Sequence, residues 1–256
     1  KIVFSPQHGT SNLPVRNCLS RLGYNVIPVL AQCAPDPDFS NTKSPNHEVD
    51  CSYDLAIKKA KEVDADVVVI CDPDGDRLGV VAKHDGEYVL MSGNQSAAVY
   101  LEYILSELKK QGKLPANAVM YNTIVTSDLG ELVSKSYGVE VEKTLTGFKF
   151  IGDKIRKYEK TKEKEFIFGY EESYGCVVKD FVRDKDAVQA VVMAAEAGNF
   201  YKHQGKDLID VLNELYAKHG TFKESQIALS KAGAEGAKRI KEIMDKMVMY
   251  HVGNPS

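Results

Sequence analysis

Three aspartates, Asp72, Asp74 and Asp76, stand at alternate positions in the stretch "VVVICDPDGDRLGVV" that runs from Val67 to Val81. Apolar and β-branched residues flank them on both sides, so the carboxylates fall in one turn at the end of a strand expected to be buried. Alternate side chains of an extended segment point the same way, which aims all three at one place. Pro73 stiffens the segment, and Gly75 lets the backbone turn where a side chain would obstruct. Carboxylates about 4 Å apart repel by about 1 kcal/mol per pair even in water, and by more beside an apolar strand. A hard divalent cation removes that cost. Mg2+ is the expected ion, because it takes oxygen ligands and keeps positions open for water or a phosphate oxygen. Arg77 follows directly, a forked donor suited to phosphate. A calcium loop of the helix–loop–helix kind fails on spacing: counting from Asp72, the sixth residue is Arg77 in place of glycine and the twelfth is Lys83 in place of glutamate. An acidic turn that caps the following element is the plain alternative.

Such a loop needs a rigid frame, and the chain alternates strand and helix patterns around it. KIVFSP at 1–6 is expected as a strand, and NLPVRNCLSRLG as a helix with Asn12 as N-cap, Pro14 in its first turn and Gly23 past its end. YNVIPV at 24–29 is a second strand. Residues 31–49, with Pro35, Pro37 and Pro45, form a loop long enough to suspect function. A helix over 52–63 leads to the strand 67–71, the aspartate loop and a hairpin turning at Asp85-Gly86. Alternation restarts with a helix over 92–111. Strands at 118–125 and 139–145, helices at 127–138 and 148–160, and a strand–turn–strand over 165–178 follow. The apolar segment 184–203 reads as a buried helix, and two amphipathic helices occupy 207–220 and 235–248. The expected fold class is α/β: two consecutive α/β domains, 1–92 and 93–205, each a mostly parallel or mixed sheet covered by helices, then a helical connector over 206–256.

Composition narrows the classes. The formal net charge of -3 gives no basis for a nucleic-acid-binding surface or a membrane patch. Lysines between 154 and 164 are interleaved with Glu159 and Glu163, a solvated helix face. No apolar run approaches the roughly 20 residues that span a bilayer. Five scattered cysteines without a C-x-x-C pair suit free thiols in a reducing cytoplasm, and Cys71 is expected in the core. The chain opens without Met and enters a strand within two residues, as a piece cut from a longer protein would.

DPDGDR, Asp72–Arg77, resembles the metal loop of the α-D-phosphohexomutases, the phosphoglucomutase/phosphomannomutase family. TLTGFKFIGDKI resembles a segment early in that family's third domain, and GYEESYG its sugar-binding loop. SPQHGT and PDPDFSNTKSPNHE are similar to second-domain stretches in the phosphopentomutase-like and bacterial phosphoglucomutase branch, so the likeness spans essentially the whole chain. The resemblance implies that Asp72, Asp74 and Asp76 are Mg2+ ligands and that Arg77 contacts substrate or the enzyme's phosphate. It implies that Thr146 contacts the sugar phosphate, that Glu171 and Ser173 hydrogen-bond adjacent sugar hydroxyls, and that Lys185 stands near the reacting phosphate as an acid/base partner. Each has a plain alternative. Glu171 and Ser173 could be ordinary turn residues, Thr146 an ordinary lead-in to a helix, Lys185 a surface partner of Asp184 or Asp186, and His8 a structural turn residue.

Two patterns of the resembling enzymes do not occur here: T-A-S-H-N-P, which carries the phosphorylated serine, and R-x-S-G-T-E-P, which grips the non-reacting phosphate. KSPNHE is the nearest stretch to the first, with neither alanine before its serine nor histidine after it. The chain is thus expected to be domains two and three of a cytoplasmic Mg2+-dependent mutase that interconverts hexose 1- and 6-phosphates through a phosphoserine and a bisphosphate intermediate. Its partners would be the sugar phosphate and the missing domains one and four, and the chain alone would be inactive. Two other readings stay open: a phosphatase of the haloacid-dehalogenase type, with Asp72 as nucleophile and Asp74 as acid, and a non-catalytic sugar-phosphate-binding module.

Overall fold

Runs that are apolar at every position belong between two layers of helices, where both faces of a strand are covered. Two runs close to this pattern, β3 (Val67–Cys71), apolar throughout, and β1 (Ile2–Ser5), apolar up to its last residue, are buried along their whole length and pair in parallel at the centre of the first sheet. The computed structural model describes residues 1–46, 49–225 and 233–253. The first sheet has the order β2-β1-β3-β4-β5, with β2 at Val26–Pro28, β4 at Leu78–His84 and β5 at Glu87–Met91. β3 and β4 are antiparallel, as are β4 and β5. The β4–β5 turn has positive φ at both Asp85 (49°) and Gly86 (84°), the geometry expected of this dipeptide.

The period of two along β3 divides its side chains between two cores. Val68 and Ile70 pack with Ala56 and Ala60 of α2 (Asp54–Val63). Val67, Val69 and Cys71 face the opposite layer, with Val15 and Leu19 of α1 (Asn12–Arg21). That second layer also holds α3 (Gly93–Lys110), α6 (Ala187–Lys202) and α7 (Leu208–His219). It continues into the second sheet, order β7-β6-β8-β9, through Met120, Phe168 and Tyr170. Here β6 (Ala118–Thr123) runs parallel to β7 (Glu140–Thr144) and β8 (Glu165–Tyr170), and β9 (Cys176–Val177) is antiparallel to β8. α4 (Leu129–Ser136) contributes Leu129 and Val133 to the shared core, while α5 (Phe148–Thr161) covers the other face with Phe148, Ile151 and Ile155.

The α/β class with two consecutive mixed sheets is borne out. Several local expectations are not. Asn12 is the first helical residue of α1, following the cap position Ser11, and its amide donates to the Cys33 carbonyl of the long loop. β6 and β7 end earlier than their apolar patterns suggest, and Ile124, Val125 and Leu145 lie exposed beyond them. The loop after β2 begins with a 3-10 turn at Leu30–Gln32 and is tied down by side chains. Gln32 accepts the Ser5 hydroxyl at 2.6 Å and donates to the Asn41 carbonyl at 2.8 Å. His47 and Glu48 of KSPNHE lie outside the described residues. Among those described, all cysteines are free thiols, Cys71 is buried as expected, and no helix is long and apolar enough to cross a membrane.

Residues 223–256 form a separate unit, described as the helix α8 (Gly233–Gly253), with Met244 and Met247 exposed on it.

Candidate functional site

β3 delivers Asp72 to the C-terminal edge of the first sheet, and the chain then turns back into β4. The three carboxylates do converge: one ligand oxygen from each of Asp72, Asp74 and Asp76 lies within 4.8 Å of the others. The means differs from the extended alternation expected. The loop is a tight turn in which the Gly75 N–H donates to the Asp72 carbonyl at 3.1 Å and Gly75 takes φ +77°. Asp72 Oδ1 then accepts the backbone N–H groups of Asp76 at 3.0 Å and Arg77 at 2.9 Å, which leaves Oδ2 free of that scaffold role.

Burial pushes the Asp72 carboxyl up to about 7; the Arg77 N–H bond opposes this and the Asp76 and Asp74 charges add to it. Asp74 is exposed at the tip. Asp76 Oδ1 is buried without a hydrogen-bond partner, an unsatisfied acceptor. Hard carboxylate oxygens, one of them orphaned, on a rigid turn are a donor set that fits Mg2+.

The segment before α1 supports this turn from beneath. Gly9 lies so close to Pro73 that a Cβ would stand 2.4 Å from its Cα and carbonyl oxygen. The Thr10 N–H donates to the Pro73 carbonyl at 2.9 Å. His8 is indeed a buried turn residue, with φ +64° and Nδ1 2.7 Å from the Ala34 carbonyl. The contact between residues 9 and 73 leaves no local signal in the sequence.

The second sheet supplies the facing wall. Between β8 and β9, the turn Glu171–Gly175 is closed by the Glu171 N–H donating to the Gly175 carbonyl at 2.9 Å. The two loops are joined through their backbones. Arg77 and Gly175 form an antiparallel bridge, and the Leu78 N–H donates to the Tyr174 carbonyl at 3.0 Å. Behind the turn, Gly93 at the start of α3 leaves no room for a Cβ, which would meet the Glu172 carbonyl oxygen at 2.5 Å.

Glu171 is buried, and its Oε1 accepts the Gly147 N–H at 3.0 Å, at the N-terminus of α5. That contact brings the loop containing Thr146 beside the turn. Thr146 is exposed and Ser173 half-buried. Burial raises the Glu171 carboxyl above its usual range, against the nearby Lys185 charge and the Gly147 bond.

Lys185 comes from the segment before α6. It pairs with Asp184 at 3.2 Å, as its plain reading has it, but also with Asp76 Oδ2 at 3.1 Å, and its side chain is only 12% exposed. Arg77 Nε lies 3.7 Å from Asp76 Oδ1 and 3.9 Å from Asp72 Oδ2. The Ala187 N–H that opens α6 donates to the Gly75 carbonyl at 3.1 Å, so a helix N-terminus also abuts the aspartate turn. Beside this corner is a cleft of about 710 Å³ lined by both signs of charge, Lys149, Arg156, Arg183 and Lys185 alongside Asp153, Asp184 and Asp186. The structure therefore gathers Asp72, Asp74, Asp76, Arg77, Lys185 and Glu171 around one corner, with Ser173 and Thr146 on its adjoining loops.

Another group of possible ligands, His84, Asp207 and Asp210, is already engaged. Asp207 and Asp210 form the capping box of α7, and His84 Nδ1 lies 2.8 Å from Asp207 Oδ2, which raises the imidazole above its ordinary value.

Comparison with known proteins bears on the chain as a whole. Residues 1–86 match the family model "Phosphoglucomutase/phosphomannomutase, alpha/beta/alpha domain II", and residues 92–219 match domain III of the same family. A phosphoglucomutase of Staphylococcus epidermidis is 38% identical over 246 residues, covering 95% of this chain and 44% of the relative. One from Staphylococcus aureus is 36% identical over 248 residues, with 96% and 44% covered. The chain thus spans less than half the length of these curated relatives. Among solved structures, a phosphoglucomutase/phosphomannomutase family protein of Burkholderia thailandensis aligns with a TM-score of 0.64 at 21% identity, over 84% of this chain and 42% of that one. Parafusin, a phosphoglucomutase of Paramecium, aligns at 0.63 and 18% identity, over 86% and 37%. At those identities the likeness is one of fold.

Proposed function

From the premise that this chain belongs to the phosphoglucomutase/phosphomannomutase family, we propose that it is the metal-holding and sugar-reading part of a mutase acting on hexose phosphates. The observation that carries this reading is the backbone junction of the aspartate turn with the Glu171–Gly175 turn, the bridge from Arg77 to Gly175. It holds three hard ligands and a buried carboxylate in one fixed relation, as a site that moves phosphate about a sugar requires.

In the division of labour we propose, residues 1–92 carry the metal ligands Asp72, Asp74 and Asp76, residues 93–205 carry the sugar-reading groups, and 206–256 lead towards a further domain. Mg2+ bound there would act as a Lewis acid on a phosphoryl oxygen. Arg77 offers a planar fork to a phosphate, and Lys185 a charged ammonium that can also shuttle a proton at Nζ. Glu171 and Ser173 offer a carboxylate and a hydroxyl to neighbouring sugar hydroxyls, a pair able to read either orientation of the ring. Thr146 offers its hydroxyl and backbone to the sugar's own phosphate, next to the α5 N-terminus. Catalysis of this kind rests on positioning and charge neutralisation. The phosphorylated serine and the grip on the distant phosphate belong to the missing domains one and four of the parent protein, and the reaction would pass through a hexose bisphosphate.

The phosphatase alternative loses support on topology as well as on family. The aspartate turn follows the third strand and feeds an antiparallel hairpin, whereas that class places its nucleophile after an N-terminal strand. A coupled assay on this chain alone, with glucose 1-phosphate and Mg2+, is expected to give neither glucose 6-phosphate nor inorganic phosphate. Turnover to glucose 6-phosphate would overturn the assignment of the phosphoserine to a missing domain, and phosphate release lost in Asp72→Asn would revive the phosphatase.

A further inference from the structure

Asp76 is shared between a cation that is part of the protein and a place for one that is not. Its Oδ2 is held by Lys185 Nζ at 3.1 Å, while its Oδ1 is buried without a hydrogen-bond partner, 3.7 Å from Arg77 Nε, in a turn where the three carboxylates converge. The ammonium is aimed there by the fold. The Lys185 stem crosses Gly175 so closely that a Cβ on that residue would lie 2.0 Å from Cδ. Lys185 also has other places to rest: Asp184 Oδ1 at 3.2 Å, the Phe148 ring at 5.4 Å, and the buried Glu171, which already feels its charge.

We propose that the Lys185 ammonium is a built-in competitor of the metal, neutralising Asp76 while the turn is metal-free and yielding it when a divalent cation arrives. This rests on the reading of Asp72, Asp74 and Asp76 as metal ligands. The physical basis is that a divalent ion and an ammonium cannot both claim one carboxylate at close range without repelling each other. Occupancy by one therefore disfavours the other, and the effect is reciprocal. Metal entry frees the ammonium on the side of Asp184 and Glu171, where an anionic substrate would meet it. The site is thereby prepared for substrate only once its metal is in place.

The consequence has a sign that a purely supporting lysine would not give. Removing the ammonium tightens metal binding. Titration calorimetry of the chain with MgCl2 near neutral pH is expected to show Lys185→Met, which keeps an unbranched stem over Gly175, binding Mg2+ about three- to tenfold more tightly than wild type. Lys185→Arg, which keeps the charge, should stay within about twofold of wild type. Circular dichroism checks that each variant is folded, and Lys185→Gln carries the same test should the Met variant fail to fold. Equal or weaker affinity in the folded, uncharged variant, with wild type binding Mg2+, overturns the proposal and leaves the metal site standing. Absence of Mg2+ uptake at millimolar concentration in every variant overturns the metal reading and the proposal with it.

Discussion

At the scale of single residues, the two most telling positions of the aspartate turn are one that faces solvent and one that touches the turn from outside. Asp74 is exposed, so Asp74→Asn removes a charge without opening the core. Titration calorimetry should find Mg2+ binding weakened roughly tenfold or more, because a neutral amide is a poorer ligand for a hard cation, with the circular dichroism spectrum unchanged. Unaltered affinity would remove Asp74 from the ligand set. Gly9 is the opposite case. A methyl group there would collide with the Pro73 backbone at 2.4 Å, and backbone cannot swing aside as a side chain can. Gly9→Ala is expected to cost about 1–3 kcal/mol in urea unfolding and to weaken Mg2+ binding as well, since the turn must shift to make room. A variant that loses stability but keeps full metal affinity would mean the strain relaxes away from the loop.

At the scale of elements, one carboxylate adds a set of polar ties to the apolar packing between the second sheet and its covering helix. Glu142 on β7 accepts Lys154 Nζ at 2.6 Å and Tyr158 Oη at 2.8 Å, both from α5, and Lys164 Nζ at 2.6 Å from the segment leading into β8. Burial works against its charge, but these bonds outweigh it and hold the carboxyl down at about 2. A carboxylate depressed in the folded state stabilises fully above its unfolded value, about 4.3, and that contribution is lost as pH falls towards the folded value. Urea midpoints should therefore drop more steeply below about pH 4.5 for wild type than for Glu142→Gln. Parallel profiles would show that the acid sensitivity lies in other groups.

At the scale of the whole molecule, the division of labour proposed for the two sheets is not a division of packing. Phe4 and Val69 of the first sheet share one buried cluster with Met120 and Phe168 of the second, through Leu101 of α3 and Val191 of α6. Sheets with a common core are expected to lose their order together. Urea unfolding followed by tyrosine fluorescence and by far-ultraviolet circular dichroism should give coincident transitions for the unit Lys1–Phe222. Two resolved steps would contradict a shared core. The junction of Arg77 with Gly175 then has a rationale at this scale too: a site built across two sheets keeps its dimensions only if they move as one.

Period-two runs and the Asp85-Gly86 turn made the α/β alternation legible from the chain alone, because each acts over a few neighbouring residues. The aspartate turn was legible for the same reason: carboxylates that close in sequence cannot lie far apart in space. Strand ends at Thr123 and Thr144 were not, because the apolar residues after them, Ile124, Val125 and Leu145, carry the same pattern whether or not a partner strand continues beside them. Nor could sequence alone assign Lys185 to Asp76, Gly9 to Pro73 or Glu171 to the α5 N-terminus. Those pairings depend on which edges of two sheets meet, and that is decided by packing around a common core, where contacts far apart in the chain compete on equal terms.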